Sequence, residues 1–260
     1  MDILRYNELY SEYMKMIKDI QRKVKYIERF QKRKERRAKE ATDEEIEKLK
    51  LYEKDQDLDI KRYKIYNLPD NEVFIGQVAN GYMDGVGKYI FNDNSEYIGE
   101  FKESYKEGLG TIKFFNGKVY IGNFKNGKMN GIGKMIYTSD DEYIGDWIDG
   151  KKQGFGIYNW NNGTVYVGDF HKNKMSGMGI CYDEKGNLVY QGEWKNNLPH
   201  GQGTYIWNEG KRYIGDFLYG KKHGKGTFYL NNEIIYKGYF KYDKPCIFDK
   251  TLDEYFNIIK

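Results

Sequence analysis

Every one of the thirty glycines in this 260-residue chain lies between Gly76 and Gly238, and all of them fall into a single 23-residue register. Self-similarity at a fixed period marks a stacked repeat, in which each unit buries its apolar face against its neighbours. With the aromatic that opens each unit as position 0, the openers are Phe74, Tyr97, Tyr120, Tyr143, Tyr166, Tyr190, Tyr213 and Tyr236, with one step of 24. Glycine recurs at position 2 in every unit. It recurs at positions 11 and 13 in the seven complete units, from Gly85 and Gly87 to Gly224 and Gly226. The other glycines occupy positions 7 and 20, where turns are expected.

Positions 0, 2 and 4 read aromatic, glycine, aromatic, as in Tyr143, Gly145 and Trp147. A strand sends alternate residues to one face, so bare backbone lies between two rings and leaves room for a neighbouring ring. Gly156, Tyr158 and Trp160, at positions 13, 15 and 17, predict a second strand whose rings share that face. Each unit is therefore predicted to be a β-hairpin. Its tip spans positions 6 to 10, where Asn126, Gly127 and Asn130 tolerate positive φ, and a second turn lies near position 20. Seven and a half hairpins give about 15 strands, a sheet about 70 Å long at ~4.8 Å per strand. Glycine inside strands bends sheets. The predicted fold is an all-β repeat array, an elongated, twisted antiparallel β-hairpin meander, with an α-helical N-terminal arm and a short C-terminal helix.

The arm is read from spacing. Ile3, Tyr6, Tyr10, Tyr13, Ile17, Ile20, Val24 and Ile27 alternate steps of 3 and 4, a heptad seam, and predict a helix over residues 3–39. Thr42-Asp43-Glu44-Glu45 forms a capping box that opens a second helix. The seam supports self-association or docking on a partner helix, or else folding back on its own sheet. Residues 22–39 hold ten basic residues against Glu28 and Glu35, and residues 43–59 hold eight acidic against three basic. The basic block is either a solvated face or a contact for an acidic surface: anionic lipid, acidic protein tails or RNA. Arg62, Lys64, Tyr66 and Leu68 then alternate before Pro69-Asp70-Asn71, as a degenerate half-repeat covering the first edge. Pro245 falls where an eighth hairpin would turn, and Thr251-Leu252-Asp253-Glu254 opens a short helix. The chain divides into a charged arm over 1–60, a capping strand and turn over 61–73, repeats over 74–243, and a C-terminal capping helix over 244–260.

Several chemistries lack support. Gly122 to Lys128, Gly145 to Lys151 and Gly215 to Lys221 match the start of a phosphate-binding loop, but Met129, Lys152 and Lys222 replace the required Ser or Thr, and the context is strand to hairpin, not strand to helix. His200 and His223 share position 10 in successive units, about 10 Å apart, too far for one metal. The acid recurring at position 3 (Glu100, Asp146, Asp169, Glu193, Asp216) reads as a solvated outer face. Cys181 and Cys246 have no pairing motif and no local His of catalytic type, which fits free thiols in a reducing compartment. Asn162-Gly163-Thr164 matches a glycosylation sequon but sits at a repeat turn. With no secretory apolar segment at the start and no apolar run that would span a bilayer, the expected setting is cytoplasmic. The chain is not expected to be an enzyme or to hold a cofactor or metal. The fifth unit departs from pattern, with Cys181 and Asp183 in place of rings and a one-residue insertion near Asn187 to Val189, and is expected to bulge.

The unit Tyr-x-Gly-x-Trp/Phe-x-x-Gly-x-x-x-Gly-x-Gly, complete in Tyr143 to Gly156 and Tyr213 to Gly226, resembles the MORN (membrane occupation and recognition nexus) repeat. The resemblance covers residues 74 to about 243. It implies hairpins stacked into an elongated groove, and scaffolding roles in cytoskeletal, ciliary or membrane-associated assemblies, with a tendency to dimerise. The expected partner is a protein, as peptide or helix, held in an aromatic groove lined by Tyr97, Phe101, Tyr120, Phe124, Tyr143, Trp147, Tyr158, Trp160, Tyr190, Trp194, Tyr205, Trp207 and Tyr213. The alternative partner is acidic phospholipid, met by Arg29, Lys32, Arg33, Lys34, Arg36 and Arg37 of the arm and by Lys151, Lys152, Lys221 and Lys222 at hairpin tips. Nucleic acid is the least favoured partner, resting on the arm alone.

Overall fold

The computed structural model describes residues 64–207 and 210–246. The heptad seam, the basic block and the C-terminal helix expected at Thr251 lie outside the described residues. What is described forms two compact units divided between Lys151 and Lys152.

The first unit carries β1 (Lys64–Asn67), β2 (Val73–Ala79), β3 (Tyr82–Ile90), β4 (Glu96–Lys102), β5 (Tyr105–Lys113), β6 (Val119–Lys125), β7 (Lys128–Ile136) and β8 (Glu142–Ile148). Each strand pairs antiparallel with the next, so the unit is a plain meander. As the alternation before Pro69 predicted, β1 covers β2, with Tyr66 opposite Phe74. A 3₁₀ turn at Pro69–Asn71 joins them. The second unit carries β9 (Lys151–Asn159), β10 (Val165–His171), β11 (Lys174–Tyr182), β12 (Leu188–Lys195), β13 (Leu198–Ile206), β14 (Lys211–Leu218), β15 (Lys221–Leu230), β16 (Glu233–Lys241) and β17 (Lys244–Pro245), again paired antiparallel in chain order. Pro245 lies in the return strand opposite Phe240, not at a turn as expected; the turn is Tyr242-Asp243.

The hairpin tips are tighter than expected. Asn126 and Gly127 both take positive φ, 49° and 79°, and β7 begins at once at position 8. Two left-handed residues in succession turn the chain in the sense that strand twist requires, so no longer loop is needed. The irregularity moves into the second strand. Gly122 pairs with Gly133 and Phe124 with Met129, so three residues of β7 lie across from one of β6. Gly131 at position 11 takes φ +87 there, which explains why glycine recurs at a position that is not a turn.

The aromatic at position 0 lies flat on glycines of its own repeat, rather than making room for a ring from another. A Cβ on Gly110 would stand 2.6 Å from Tyr97 Cζ, and one on Gly99 would stand 2.6 Å from both Tyr97 Cζ and Gly110 Cα. The ring's far end is fixed by its hydroxyl. Tyr97 donates to the Glu100 carbonyl at 2.9 Å, Tyr120 to Asn123 at 2.9 Å, Tyr166 to Asp169 at 3.0 Å and Tyr213 to Asp216 at 2.9 Å. The ring at position 4 then closes edge-on, from both the same and the following repeat: Tyr97 meets Phe101 at 5.1 Å and Phe124 at 5.0 Å between centroids. Such edge-to-face pairs add about 0.5–1.5 kcal/mol each beyond their burial. These interlocked rings are the main core of each unit. The face behind them adds Phe155, Ile157, Val167 and Ile180 in the second unit.

The recurring acid at position 3 is more than a solvated outer residue. Asp169 accepts the Met178 amide at 2.9 Å, Asp216 accepts the Lys225 amide at 2.7 Å, and Glu193 accepts the Gln202 amide at 2.9 Å. Each carboxylate satisfies the amide that follows the position-11 glycine, which the bulge has taken out of the ladder. The fifth unit bulges as expected: Cys181 faces Tyr190 and Tyr182 faces Leu188, so the inserted residue is Val189.

Candidate partner-binding face

The structure sorts the thirteen ring residues expected to line a groove into two groups. Tyr97, Phe101, Tyr120, Phe124, Tyr143, Trp147, Tyr190, Trp194 and Tyr213 are buried, the five tyrosines at 0–1% relative exposure. Their faces are spent on glycine backbone and on each other. Trp147 and Trp194 also donate their indole N–H to the carbonyls of Gly133 at 3.2 Å and Gly179 at 3.1 Å. Tyr158, Trp160, Tyr205 and Trp207 are half-buried. They form two side-by-side pairs in the second unit, with centroids 4.7 Å apart for Tyr158 and Trp160 and 4.4 Å apart for Tyr205 and Trp207. Tyr158 faces Tyr166 and Tyr205 faces Tyr213 across the ladder, which puts both pairs on the tyrosine side of the sheet.

The first unit carries a pair of the same kind that the sequence reading did not select. Tyr89 and Phe91 stand 4.7 Å apart, and the Tyr89 hydroxyl donates to Glu72. Their positions, 15 and 17, are those of Tyr158 and Trp160, so the repeat register alone could have found them.

The tip lysines divide by position. Lys151 and Lys221, at position 8, are exposed. Lys152 and Lys222, at position 9, turn onto the rings. The Lys152 ammonium lies 4.6 Å from the Tyr158 centroid and 5.6 Å from that of Phe170, and Lys222 lies 5.1 Å from Trp207 and 5.7 Å from Phe228. Lys106 in the first unit does the same over Phe91 at 4.9 Å. Burial pushes Lys106 and Lys222 below the ordinary lysine range, with Asp243 opposing the shift at Lys222. The ring faces hold the cations at close range while the sheet removes part of their water. No sequence signal separated positions 8 and 9, because the turn was expected to run through both. Arg29, Lys32, Arg33, Lys34, Arg36 and Arg37 lie outside the described residues.

Elsewhere the geometry offers little chemistry. A cavity of about 460 Å³ in the first unit is lined by Asp84, Gly85, Val86, Glu100, Phe101, Lys102 and Glu107. Among the described residues no group of three or more His, Cys, Asp or Glu could hold a metal ion, and no helix is long and apolar enough to cross a membrane. His200 meets Tyr219 edge-on and His223 lies tilted against Tyr242, with centroids 5.7 and 5.0 Å apart. The Asn162 side chain accepts the Thr164 amide at 3.0 Å, which fits its turn reading. Cys181 is half-buried and its thiol is pushed up, by burial first and then by Asp183.

The MORN repeat profile matches seven successive segments, residues 74–96, 97–119, 120–142, 143–165, 166–188, 190–212 and 213–233. No curated relative matches the chain. Among solved structures, the TCP domain of SAS-4 (dCPAP) from Drosophila melanogaster, in complex with a proline-rich motif of Ana2 (dSTIL), overlaps 69% of this chain and 90% of its own. It does so at 14% identity and a TM-score of 0.33. The TCP10 domain of CPAP from Danio rerio overlaps 71% and 94% at 12% identity and a TM-score of 0.31. At these scores the likeness carries no argument about this chain.

Proposed function

Because the chain belongs to the MORN repeat family, we propose that it is a non-enzymatic scaffold that holds a protein partner, peptide or helix, on the tyrosine side of its sheet, within a cytoskeletal, ciliary or membrane-associated assembly. The observation that carries this reading is the pair of half-buried ring sets in the second unit, Tyr158 with Trp160 and Tyr205 with Trp207, each with a lysine ammonium over it. Aromatic and cationic groups held rigid at a surface that still meets water are what interface hot spots are built from. Tyr190, Trp194 and Tyr213, buried in the same unit, contribute by fixing this surface. A second copy of the chain, joined through the heptad seam, is the further partner proposed.

Incorporating a photo-crosslinking phenylalanine analogue in place of Trp160 or Trp207 should give adducts of defined mass in cells. The same analogue in place of Ile214, exposed on the opposite face, should not. Equal labelling from all three positions would remove the aromatic face from the proposal.

The second reading is a peripheral membrane adaptor that meets acidic phospholipid. It is favoured by the exposed Lys151 and Lys221 at hairpin tips and by Tyr219 and Tyr242, exposed by 67% and 50% at the tips of the second unit. Tyrosine and lysine together suit a headgroup boundary. Sedimentation with anionic vesicles at two salt concentrations separates the two readings, since binding by rim charges should collapse as salt rises.

A further inference from the structure

The face of the second unit has a pitch that selects among backbone conformations. Positions 15 and 17 recur on alternate strands: Tyr158 and Trp160 at β9, Cys181 and Asp183 in place of rings at β11, Tyr205 and Trp207 at β13. Alternate strands are about 9.6 Å apart, so the two ring pairs stand about 19 Å apart, with one ring-free station between them. A chain crossing the strands at right angles must therefore present like groups about 19 Å apart. A polyproline-II segment repeats every three residues, about 9.3 Å, and meets both ring pairs six residues apart. An extended strand also brings residues six apart to one face, about 20 Å apart, but its amides, crossing the ladder, could not pair with it. An α-helix returns to the same side after seven residues, about 10.5 Å, and drifts out of register.

Charge narrows the occupant. On this face Lys152 and Lys222 lie on the rings at either end, Lys211 stands two residues from Tyr213 at the same end as Lys222, and Asp183 occupies the ring-free middle station. The ends favour carboxylates and the middle does not. Aromatic surfaces also suit proline, whose ring stacks flat, whose backbone is already ordered and which brings no amide needing a partner.

We propose that the tyrosine side of the second unit binds an acidic, proline-containing segment in polyproline-II conformation, laid across strands β9 to β15 with three residues to each repeat. This rests on the scaffold reading above and names the chemistry of its partner.

The test uses calorimetric titration of the full chain with two synthetic dodecapeptides of identical composition. One is Pro-Pro-Glu-Pro-Pro-Gln repeated twice, which sets its glutamates six residues apart; the other has its eight prolines first and its two glutamates and two glutamines last. The periodic peptide should bind at least tenfold more tightly. Trp160→Ala and Trp207→Ala should each weaken it about tenfold, with Ile214→Ala without effect. Lys222→Met, which keeps the apolar stem and removes the charge, should weaken the periodic glutamate peptide but not its Pro-Pro-Gln counterpart, and so holds the test open if a tryptophan variant fails to fold. Equal affinity for the two dodecapeptides, or no binding of the periodic one, overturns the proposal. If an amphipathic helical peptide binds instead and needs Trp207, the polyproline inference falls while the scaffold reading stands. If crosslinking from Trp160 and Trp207 also yields nothing, the scaffold reading falls with it.

Discussion

Glycine does two different jobs in this repeat, and they separate by substitution. Gly133 has an ordinary φ but no room: an added Cβ would stand 2.5 Å from Tyr120 Cε2 and Cζ. That ring cannot retreat, being wholly buried and tied to Asn123 through its hydroxyl. Gly81 has room but an awkward backbone, with φ +83 and nothing within 4 Å of the added atom. Gly133→Ala should therefore cost about 3 kcal/mol as overpacking. Gly81→Ala should cost about 1 kcal/mol, the strain of an L-residue in the left-handed region. Urea midpoints of the two variants give the order directly, and a Gly81 variant at least as destabilised as the Gly133 variant would mean that ring contact is not what the in-strand glycines serve. The first repeat carries a natural control, since Phe74 has no hydroxyl and still keeps Gly76 and Gly87 against its ring.

At the scale of the hairpin, stability passes between repeats through the tips. The second turn residue donates its amide to the position-9 carbonyl of the preceding repeat: Gly127 to Lys106 at 3.0 Å, Asn173 to Lys152 at 2.9 Å and Asn197 to Met175 at 2.9 Å. Where that residue is Asn, its side chain completes the exchange, Asn173 accepting the Lys152 amide and Asn197 the Met175 amide, both at 2.8 Å. Asn197, at φ +70, also suits the left-handed turn. Asn197→Ala loses both the cap and the conformational fit and should cost about 2 kcal/mol. Asn197→Gly loses the cap alone and should cost about 1 kcal/mol. Thermal melts that fail to separate them would place the whole effect in the backbone.

This ladder shows where sequence reasoning stopped. The period, the strand faces, the edge strand at Lys64–Asn67 and the bulge near Val189 all follow from register, because spacing alone determines which residues share a face. Burial does not follow, because Tyr166 at position 0 and Tyr158 at position 15 are alike in residue type and facing. Tyr166 is wholly buried on Gly168 and Gly179 while Tyr158 is half-buried, and that depends on how β-bulges set the pairing. The split between Lys151 and Lys152 failed for a related reason: a tip shortened by two left-handed residues changes which lysine faces the rings.

For the whole molecule, a core built on phenols has a consequence that an aliphatic core lacks. Burial pushes the hydroxyls of Tyr97, Tyr120, Tyr190 and Tyr213 far up, with nearby carboxylates adding to the shift at Tyr97, Tyr190 and Tyr213. Tyr137 is pushed up to about 12 by burial and then by Asp141. Tyr89 is also pushed up to about 12, by burial, then by its hydrogen bond to Glu72, then by that carboxylate's charge. The sign follows from which state holds the proton. A phenol in the unfolded chain ionises near ~10, whereas the folded one stays neutral, so below ~10 the contribution to stability is complete. Above that pH the unfolded state releases protons that the native state keeps, and stability falls with every further rise. The repeats should therefore unfold cooperatively in alkali, with phenolate absorbance from the buried set appearing together with loss of the β-sheet circular dichroism. Tyr97→Phe should reduce the amplitude of that coupled step. It should also move unfolding to lower pH, since the lost bond to the Glu100 carbonyl leaves less stability to overcome. Full ionisation of the tyrosines with the sheet signal intact would show that these rings are not the core, and the stacking of repeats would then need another cause.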